Sequence, residues 1–243
     1  MRIDILGCGF DNITADEAVS YALDLISSRQ KEYIVTPNPE IVWMARRDEA
    51  LSAAVNGAAL VLPDGIGIIH AARILGTPLC EKIPGIDFVA ALFNKMAGSG
   101  GSVFLFGAKP GVAEEAGLAL VQSYPGLVIA GTADGYFADE ELVIEQINSA
   151  NPDLLLVCLG APKQELWMRE KTGLLNAGLC AGLGGSLDIF AGKTKRAPAF
   201  YQRFGLEWFY RLIREPRRIK RMIKLPLFIL TVIGIRIRGE KHG

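Results

Sequence analysis

The sequence predicts an α/β fold: a Rossmann-like, mostly parallel β-sheet with helices on both faces, followed by a basic helical appendage. Two observations predict the sheet. Short apolar runs alternate with amphipathic stretches of helix length, and Gly- or Pro-containing segments follow the runs. A concentration of cations near the C-terminus predicts the appendage. The predicted strands cover residues 33–36, 60–62, 103–106, 127–130, 154–159 and 178–183.

Amphipathic stretches between these runs predict helices, of which residues 15–28 and 112–124 are the clearest. The first stretch opens with a capping box, since Thr14 can accept a hydrogen bond from the first turn while Glu17 reaches back to the cap. Strands that alternate with helices along the chain are typical of parallel sheets.

Composition indicates a folded chain, because 50% of the residues are hydrophobic and only 21% are charged. The first residues lack a signal-peptide pattern, so we expect a cytoplasmic protein. The cysteines have no metal-type spacing, and we expect buried, reduced thiols. They are Cys8, Cys80, Cys158 and Cys180.

Charge is strongly segregated although the whole chain is formally neutral. Residues 193–243 hold 14 Lys and Arg against three Glu, a net charge of +11, and residues 1–192 therefore carry −11. We divide the chain there into an α/β catalytic domain, 1–192, and an appendage, 193–243. This segregation predicts that the appendage meets an anionic partner.

Several familiar sites are excluded. The segment Gly7-Cys-Gly9 starts like a dinucleotide-binding loop but lacks the third glycine, and Leu187 stands where a phosphate-binding P-loop ending at Lys193-Thr194 needs glycine. Only two histidines are present, which disfavours a Ser-His-Asp hydrolase, and no Asp-x-Asp pair exists to hold a metal. We therefore expect no cofactor and no metal.

Asp64 is the sharpest candidate for chemistry. Ligands of parallel sheets bind beyond the carboxyl ends of the strands, and Asp64 follows such a strand between Pro63 and Gly65. A single positioned carboxylate can act as a general base toward a hydroxyl group. The alternative, which spacing leaves open, is that Asp64 caps the following helix.

Other strand exits carry polar residues with equally open roles. Thr36 and Asn38 either hydrogen-bond a ligand or close an Asx-type turn between prolines. Lys163, Gln164 and Glu165 open a helix, where they either attract a phosphate or serve as simple caps.

Taken together, the strand-exit motifs resemble those of one family, in identity and in order. They are Thr36-Pro-Asn-Pro-Glu40, Pro63-Asp-Gly65, Phe106-Gly-Ala108, Gly131 to Phe137, Leu159 to Glu165, and Gly184 to Pro198. This order resembles the WecG/TagA/CpsF glycosyltransferases over nearly the whole chain, and most of all the wall teichoic acid members. Those enzymes move N-acetylmannosamine from UDP to N-acetylglucosamine on undecaprenyl diphosphate, with inversion to a β-1,4 linkage and without a metal.

The resemblance implies roles for individual residues. Asp64 is implied as the catalytic base, and Thr36 and Gln164, which line the active site, are assigned to catalysis with it. The residues expected to bind substrate are Asn38, Gly107, Lys109, Asp134, Gly135, Lys163, Glu165, Gly185, Arg196, Arg214, Arg218 and Arg221. The expected partners are a UDP-sugar and a polyprenyl-diphosphate-linked acceptor. The alternatives are transfer of another UDP-sugar, or a non-catalytic sugar-nucleotide-binding protein at the membrane.

The appendage ends in an apolar stretch, residues 225–235, that is uncharged but too short to span a bilayer, for which about 20 residues are needed. Cations beside it predict a segment lying on an anionic membrane surface. Rival interpretations are a nucleic-acid patch, which we disfavour because no groove-reading fold is evident, and a helix buried in a homo-oligomer.

Arginines in the appendage are spaced so that one continuous helix would place them on one face. Pro216 is expected to restart the helix, which leaves that alignment open. We expect some of them to close over the active site. They are Arg211, Arg214, Arg218 and Arg221.

Overall fold

A computed structural model describes residues 1–203, 205–214 and 224–238, and Arg218, Arg221 and Pro216 lie outside these ranges. It contains an antiparallel pair, β1 (Arg2–Ile5) and β2 (Cys8–Asp11), and a six-stranded sheet. The sheet strands are β3 (Glu32–Val35), β4 (Leu60–Val61), β5 (Ser102–Gly107), β6 (Val128–Ala133), β7 (Leu154–Cys158) and β8 (Leu179–Gly182).

All pairings within the six-stranded sheet are parallel, in the order β4-β3-β8-β7-β5-β6. This confirms the predicted α/β class and each of the six predicted strands. The inner strands are buried on both faces, as in β3, where Tyr33 and Val35 pack into one apolar cluster while Ile34 between them packs into the other. Such two-sided burial is why these strands read as continuous apolar runs.

Helices cover both faces of the sheet. They are α1 (Ala15–Ser28), α2 (Pro39–Ala45), α3 (Glu49–Asn56), α4 (Ile66–Leu75), α5 (Gly85–Ala97), α6 (Val112–Ser123), α7 (Glu140–Ala150), α8 (Lys163–Lys171), α9 (Ser186–Phe190), α10 (Ala199–Arg203), α11 (Glu207–Arg214) and α12 (Lys224–Arg238). The capping box predicted for α1 is present, since Thr14 accepts from the Glu17 N–H and Glu17 accepts from the Thr14 N–H.

The segment that resembled a dinucleotide loop is a β-hairpin. Leu6 and Gly7, with φ of 57° and 89°, form its two-residue turn, and Cys8 begins the second strand. Two consecutive positive φ values match the twist of a tight hairpin. Asp11 attaches the hairpin to the sheet by accepting a hydrogen bond from the Val61 N–H at 2.9 Å. Gly7 lies in the turn and Gly9 in the second strand of the hairpin. The two glycines therefore belong to a hairpin and not to a dinucleotide-binding loop.

Cysteine burial was predicted correctly for three residues and wrongly for one. All four cysteines are free, and Cys8, Cys158 and Cys180 are buried. Cys80 is exposed, because it lies in the loop between α4 and α5, where its Sγ donates to the Ile13 carbonyl.

The C-terminal helix α12 packs on the chain's own body. Phe228, Val232 and Ile235 are buried in the same cluster as the hairpin and one face of the sheet. Close contact is visible near Gly67 of α4, where a Cβ would lie 3.1 Å from Leu225 Cδ1. One face of the apolar stretch therefore belongs to the hydrophobic core of this chain. Neither the membrane-surface nor the homo-oligomer interpretation predicts this burial.

Salt bridges also tie the appendage to the body. Lys193 pairs with Glu115 at 2.6 Å and Lys224 with Glu40 at 3.9 Å. Arg236 donates to the Leu75 carbonyl at the end of α4, at 3.3 Å. Part of the segregated charge is therefore matched within the molecule.

Candidate active site

A cleft of about 390 Å³ opens at the carboxyl ends of β4, β3, β8 and β7, which are consecutive in the sheet. Parallel sheets bind their ligands at this edge. The residues from the predicted site that line it are Thr36, Asn38, Asp64, Gln164 and Gly185. The structure thus brings together the three residues assigned to catalysis and two of those assigned to binding.

Thr36 directly follows β3, lines the cleft and is 8% exposed. Its hydroxyl donates to the Gly182 carbonyl of the neighbouring strand β8 at 3.2 Å. The start of α5 lies directly above, since a Cβ on Gly85 would be 3.0 Å from Thr36 Oγ1. Thr36 therefore has a fixed side chain whose hydroxyl oxygen still has a lone pair for a ligand.

Asn38 is the N-cap of α2. Its Oδ1 accepts from the Glu40 and Ile41 N–H groups at 2.9 and 3.2 Å. The alternative that Asn38 closes an Asx-type turn is therefore correct for its side-chain oxygen, which also caps α2. Because the cap uses only Oδ1, it leaves the Nδ2 hydrogens for a ligand in the cleft.

Asp64 follows β4, and its backbone N–H donates to the Pro37 carbonyl at 3.3 Å, which joins the two loops. The N-cap of α4 is Gly65, with φ of 90° and no side-chain capping bond. The alternative that Asp64 caps α4 is therefore wrong. Its carboxylate is partly exposed in the cleft, where a base toward a hydroxyl group must be.

Gln164 and Glu165 lie in the first turn of α8 and are 3% and 1% exposed. Gln164 Oε1 accepts from the Gly184 N–H, and Gln164 Nε2 donates to Glu165 Oε1, both at 2.9 Å. Burial raises the pKa of the Glu165 carboxyl. Glu165 does not line the cleft, whereas Gln164 does.

A second group of predicted binding residues does not line the cleft. Most of them follow β5 or β6 in the sequence, the two strands on the far side of β7 in the sheet. Asp134 Oδ1 accepts from the Tyr136 N–H at 2.7 Å, and the Gly135 N–H donates to the Ala108 carbonyl at 2.9 Å. Lys163 Nζ lies 3.4 Å from the Gly135 carbonyl and 4.4 Å from the centre of the Phe137 ring. Gly107 packs against the Cys158 backbone, and Lys109 is exposed nearby.

Arg196 approaches the site from the appendage. It pairs with Asp87 in the first turn of α5, and this hydrogen bonding raises the pKa of the guanidinium, with smaller contributions from Glu207 and Asp64. Arg214 is exposed on α11, outside the cleft lining. Arg218 and Arg221 fall outside the described residues.

The cleft also contains residues that sequence reasoning did not assign. Asp188 and Thr194 follow β8, and Glu207 reaches the cleft from α11 while pairing with Lys82 at 3.0 Å. Asp188 was within a quoted motif, but Glu207 carries no sequence signal, because its position depends on how the appendage folds back. Cys158 also lines the cleft, yet burial raises the pKa of its thiol to about 12, which disfavours the thiolate that a nucleophilic role needs.

Across the described ranges, no group of three or more His, Cys, Asp or Glu side chains could hold a metal ion. Over the same parts of the chain, no helix combines the length and apolar character needed to cross a membrane.

The sequence is similar to known proteins over most of its length. Residues 3–242 match the family described as glycosyl transferase WecG/TagA/CpsF. Three similar proteins are each named N-acetylglucosaminyldiphosphoundecaprenol N-acetyl-β-D-mannosaminyltransferase. The one from Bacillus subtilis strain 168 is 40% identical over 82% of this chain and 78% of its own length, and that from Bacillus spizizenii is 38% identical over 83% and 78%. The one from Staphylococcus aureus strain MW2 is 34% identical over 99% and 95%.

Proposed function

Because the chain belongs to the WecG/TagA/CpsF glycosyltransferase family, we propose that it transfers N-acetylmannosamine from UDP to the N-acetylglucosamine of a diphosphoundecaprenol acceptor. The names of the relatives support the sugar and the lipid-linked acceptor. The UDP donor and the inverting course are our extension of that reaction. The competing functions are transfer of a different UDP-sugar and non-catalytic binding of a sugar nucleotide.

The observation that carries the proposal is the position of Asp64 in the cleft beside Thr36 and Gln164. In the proposed step, the Asp64 carboxylate accepts the proton of the acceptor hydroxyl as its oxygen attacks the anomeric carbon. The bond from that carbon to the UDP oxygen breaks, and UDP leaves with the electron pair. A single displacement inverts the anomeric centre, and the proton on Asp64 returns to solvent.

The departing diphosphate develops negative charge that the protein has to stabilise. Asn38 and Gln164 line the cleft, and we propose that the Nδ2 hydrogens of Asn38 and the second Nε2 hydrogen of Gln164 donate to it. Lys163 and Arg196 are further cations assigned to substrate binding, and each has a protein partner in the structure, the Gly135 carbonyl and Asp87 respectively. We propose that Arg214, Arg218 and Arg221 add charge over the bound diphosphate.

A lipid-linked acceptor requires the enzyme to reach a membrane surface, and we propose that α12 makes this contact. Leu227, Leu230, Ile233 and Ile237 are exposed on the side of α12 away from the buried face. Arg238 is exposed beside them. Exposed apolar side chains next to cations are typical of helices that lie in the interface of anionic bilayers.

The deciding experiment incubates the purified chain with a panel of UDP-sugars and a diphospholipid-linked N-acetylglucosamine acceptor. We expect product only with UDP-N-acetylmannosamine, and the new linkage is assigned by NMR. Product with another sugar would support the first alternative. UDP-sugar binding without any product would support the non-catalytic alternative.

A further inference from the structure

Glu165 is a buried carboxyl group that no step of the proposed reaction uses. It is 1% exposed, and its Oε2 has no hydrogen-bond partner among the described residues. A buried carboxyl with one oxygen unsatisfied is costly, so a fold that keeps it should derive some benefit elsewhere. The hydrogen bond that its Oε1 accepts from Gln164 Nε2 at 2.9 Å indicates where that benefit lies.

The amide of Gln164 is held at both ends with a defined polarity. Its Oε1 accepts from the Gly184 N–H, and its Nε2 donates to Glu165 Oε1. Turning the amide over would place NH₂ against an N–H group and C=O against a carboxyl oxygen, so both bonds would be lost. Without Glu165, the amide would keep the hydrogen bond from Gly184 but lose the bond that fixes its NH₂ end.

Packing confines the same amide against β8. A Cβ on Gly182 would lie 3.3 Å from Gln164 Nε2 and 2.5 Å from Met168 Cε, so the amide passes directly over the glycine. The Gly182 carbonyl accepts from Thr36. Thr36 and Gln164 are therefore set against the same strand residue, and the second Nε2 hydrogen is left for a ligand in the cleft.

We propose that Glu165 is a positioning residue that fixes the Gln164 amide so that its second N–H points at the donor diphosphate or sugar. It acts through Gln164 and does not itself touch substrate. This inference rests on the proposed function for its catalytic consequence, whereas the coupling of the two side chains can be tested without turnover. Burial raises the pKa of the Glu165 carboxyl, whereas the hydrogen bond from Gln164 lowers it, so this contact favours the carboxylate form.

The structural test follows the side-chain amide protons of Gln164 by NMR, assigned by their absence in Gln164→Ala. In the wild type we expect two well-separated resonances that exchange slowly with water. Glu165→Gln retains an oxygen acceptor and should keep them, whereas Glu165→Leu, of similar size but without an acceptor, should bring them to the values of a mobile amide. Unchanged resonances in a folded Glu165→Leu would overturn the proposal.

The kinetic test is a double-mutant cycle over Gln164→Ala and Glu165→Leu. We expect Glu165→Leu alone to lower kcat/KM by about 10- to 100-fold, since a misplacement of about 1 Å costs up to about 100-fold. In the Gln164→Ala background it should cost less than about twofold, because its partner is already gone. Glu165→Gln should stay within about threefold of wild type.

If the effects of Gln164→Ala and Glu165→Leu on kcat/KM are independent and multiply, Glu165 has a role of its own and the positioning proposal is rejected. A Glu165→Gln variant as impaired as Glu165→Leu would also reject it. A wild-type chain that shows the coupled NMR resonances but transfers no sugar to the acceptor would refute the proposed function while leaving the Glu165–Gln164 coupling intact.

Discussion

Arg196 and Asp87 form a two-pronged ion pair in which Nη1 and Nη2 each lie 2.6 Å from a different carboxylate oxygen. Arg196 belongs to the appendage and Asp87 to the first turn of α5, so the ion pair links the appendage to α5 beside the cleft. Bidentate geometry makes such a pair stronger than an ordinary surface contact.

We expect a double-mutant cycle on Arg196→Ala and Asp87→Ala to give a coupling of about 0.5–1 kcal/mol in the free energy of unfolding. The matched control is Lys193 with Glu115, whose side chains are both about half exposed. That pair should couple by about 0.2 kcal/mol, the low end for exposed pairs. Urea denaturation of the four variants in each cycle makes the measurement, and equal couplings would contradict the bidentate argument.

Asp64→Asn should lower turnover by about 100- to 10,000-fold, because a positioned base contributes that much to proton transfer. UDP-sugar affinity should hardly change, since the amide keeps the shape of the carboxylate. Steady-state kinetics and calorimetry separate the two quantities. Turnover close to wild type would remove Asp64 from the base role.

Catalysis should be independent of divalent metal, because the sequence has no Asp-x-Asp pair and only two histidines. We expect the rate in excess EDTA to equal the untreated rate. A rate that falls with EDTA and recovers on adding Mg²⁺ or Mn²⁺ would refute this.

Substitutions on the exposed face of α12 should affect membrane binding, whereas substitutions on its buried face should affect stability. Leu230 is 64% exposed and Phe228 is fully buried. Leu230→Ser should weaken sedimentation with anionic vesicles at unchanged thermal stability. Phe228→Ala should lose about 3–5 kcal/mol of folding free energy, as expected for a buried aromatic side chain.

Sedimentation should also decline in high salt and be weak with neutral vesicles, because screening acts over about 8 Å at physiological ionic strength. Vesicle binding that does not depend on salt concentration or on vesicle charge would reject the electrostatic part of the proposal. Truncation near Lys195, which would otherwise be the simplest test, also removes Phe228, Val232 and Ile235 from the core, so point variants are the sharper tool.

Glu165→Gln should stabilise the protein increasingly as the pH rises. Burial raises the Glu165 pKa in the folded state above its ordinary value of 4.5. Below that value both states are protonated, and the ionisation penalty appears as the pH passes through the folded pKa. The difference in Tm between variant and wild type should therefore be larger at pH 8 than at pH 5, and a constant difference would contradict the assignment.

The six strands of the sheet and the strand-exit candidates were predictable because they depend on local pattern. A short, continuous apolar run such as 154–159 fits an inner strand of a parallel sheet, which is buried on both faces. Parallel strands also bring the residues that follow them to one edge of the sheet. The β1–β2 hairpin was not predicted, since Gly7 and Gly9 interrupt its strands and imitate a nucleotide-binding loop.

What the sequence determined by itself was therefore the α/β class, the family motifs and the group Thr36, Asp64 and Gln164. Only the tertiary structure decided that Gly65, and not Asp64, is the N-cap of α4, and that the Glu165 carboxyl contacts Gln164 and does not line the cleft. It also decided that α12 buries one face on α2 and α4. The reason is physical: spacing along the chain sets which residues share a strand or helix, but the partner of a charge or an apolar face depends on contacts between distant segments, which no local pattern encodes.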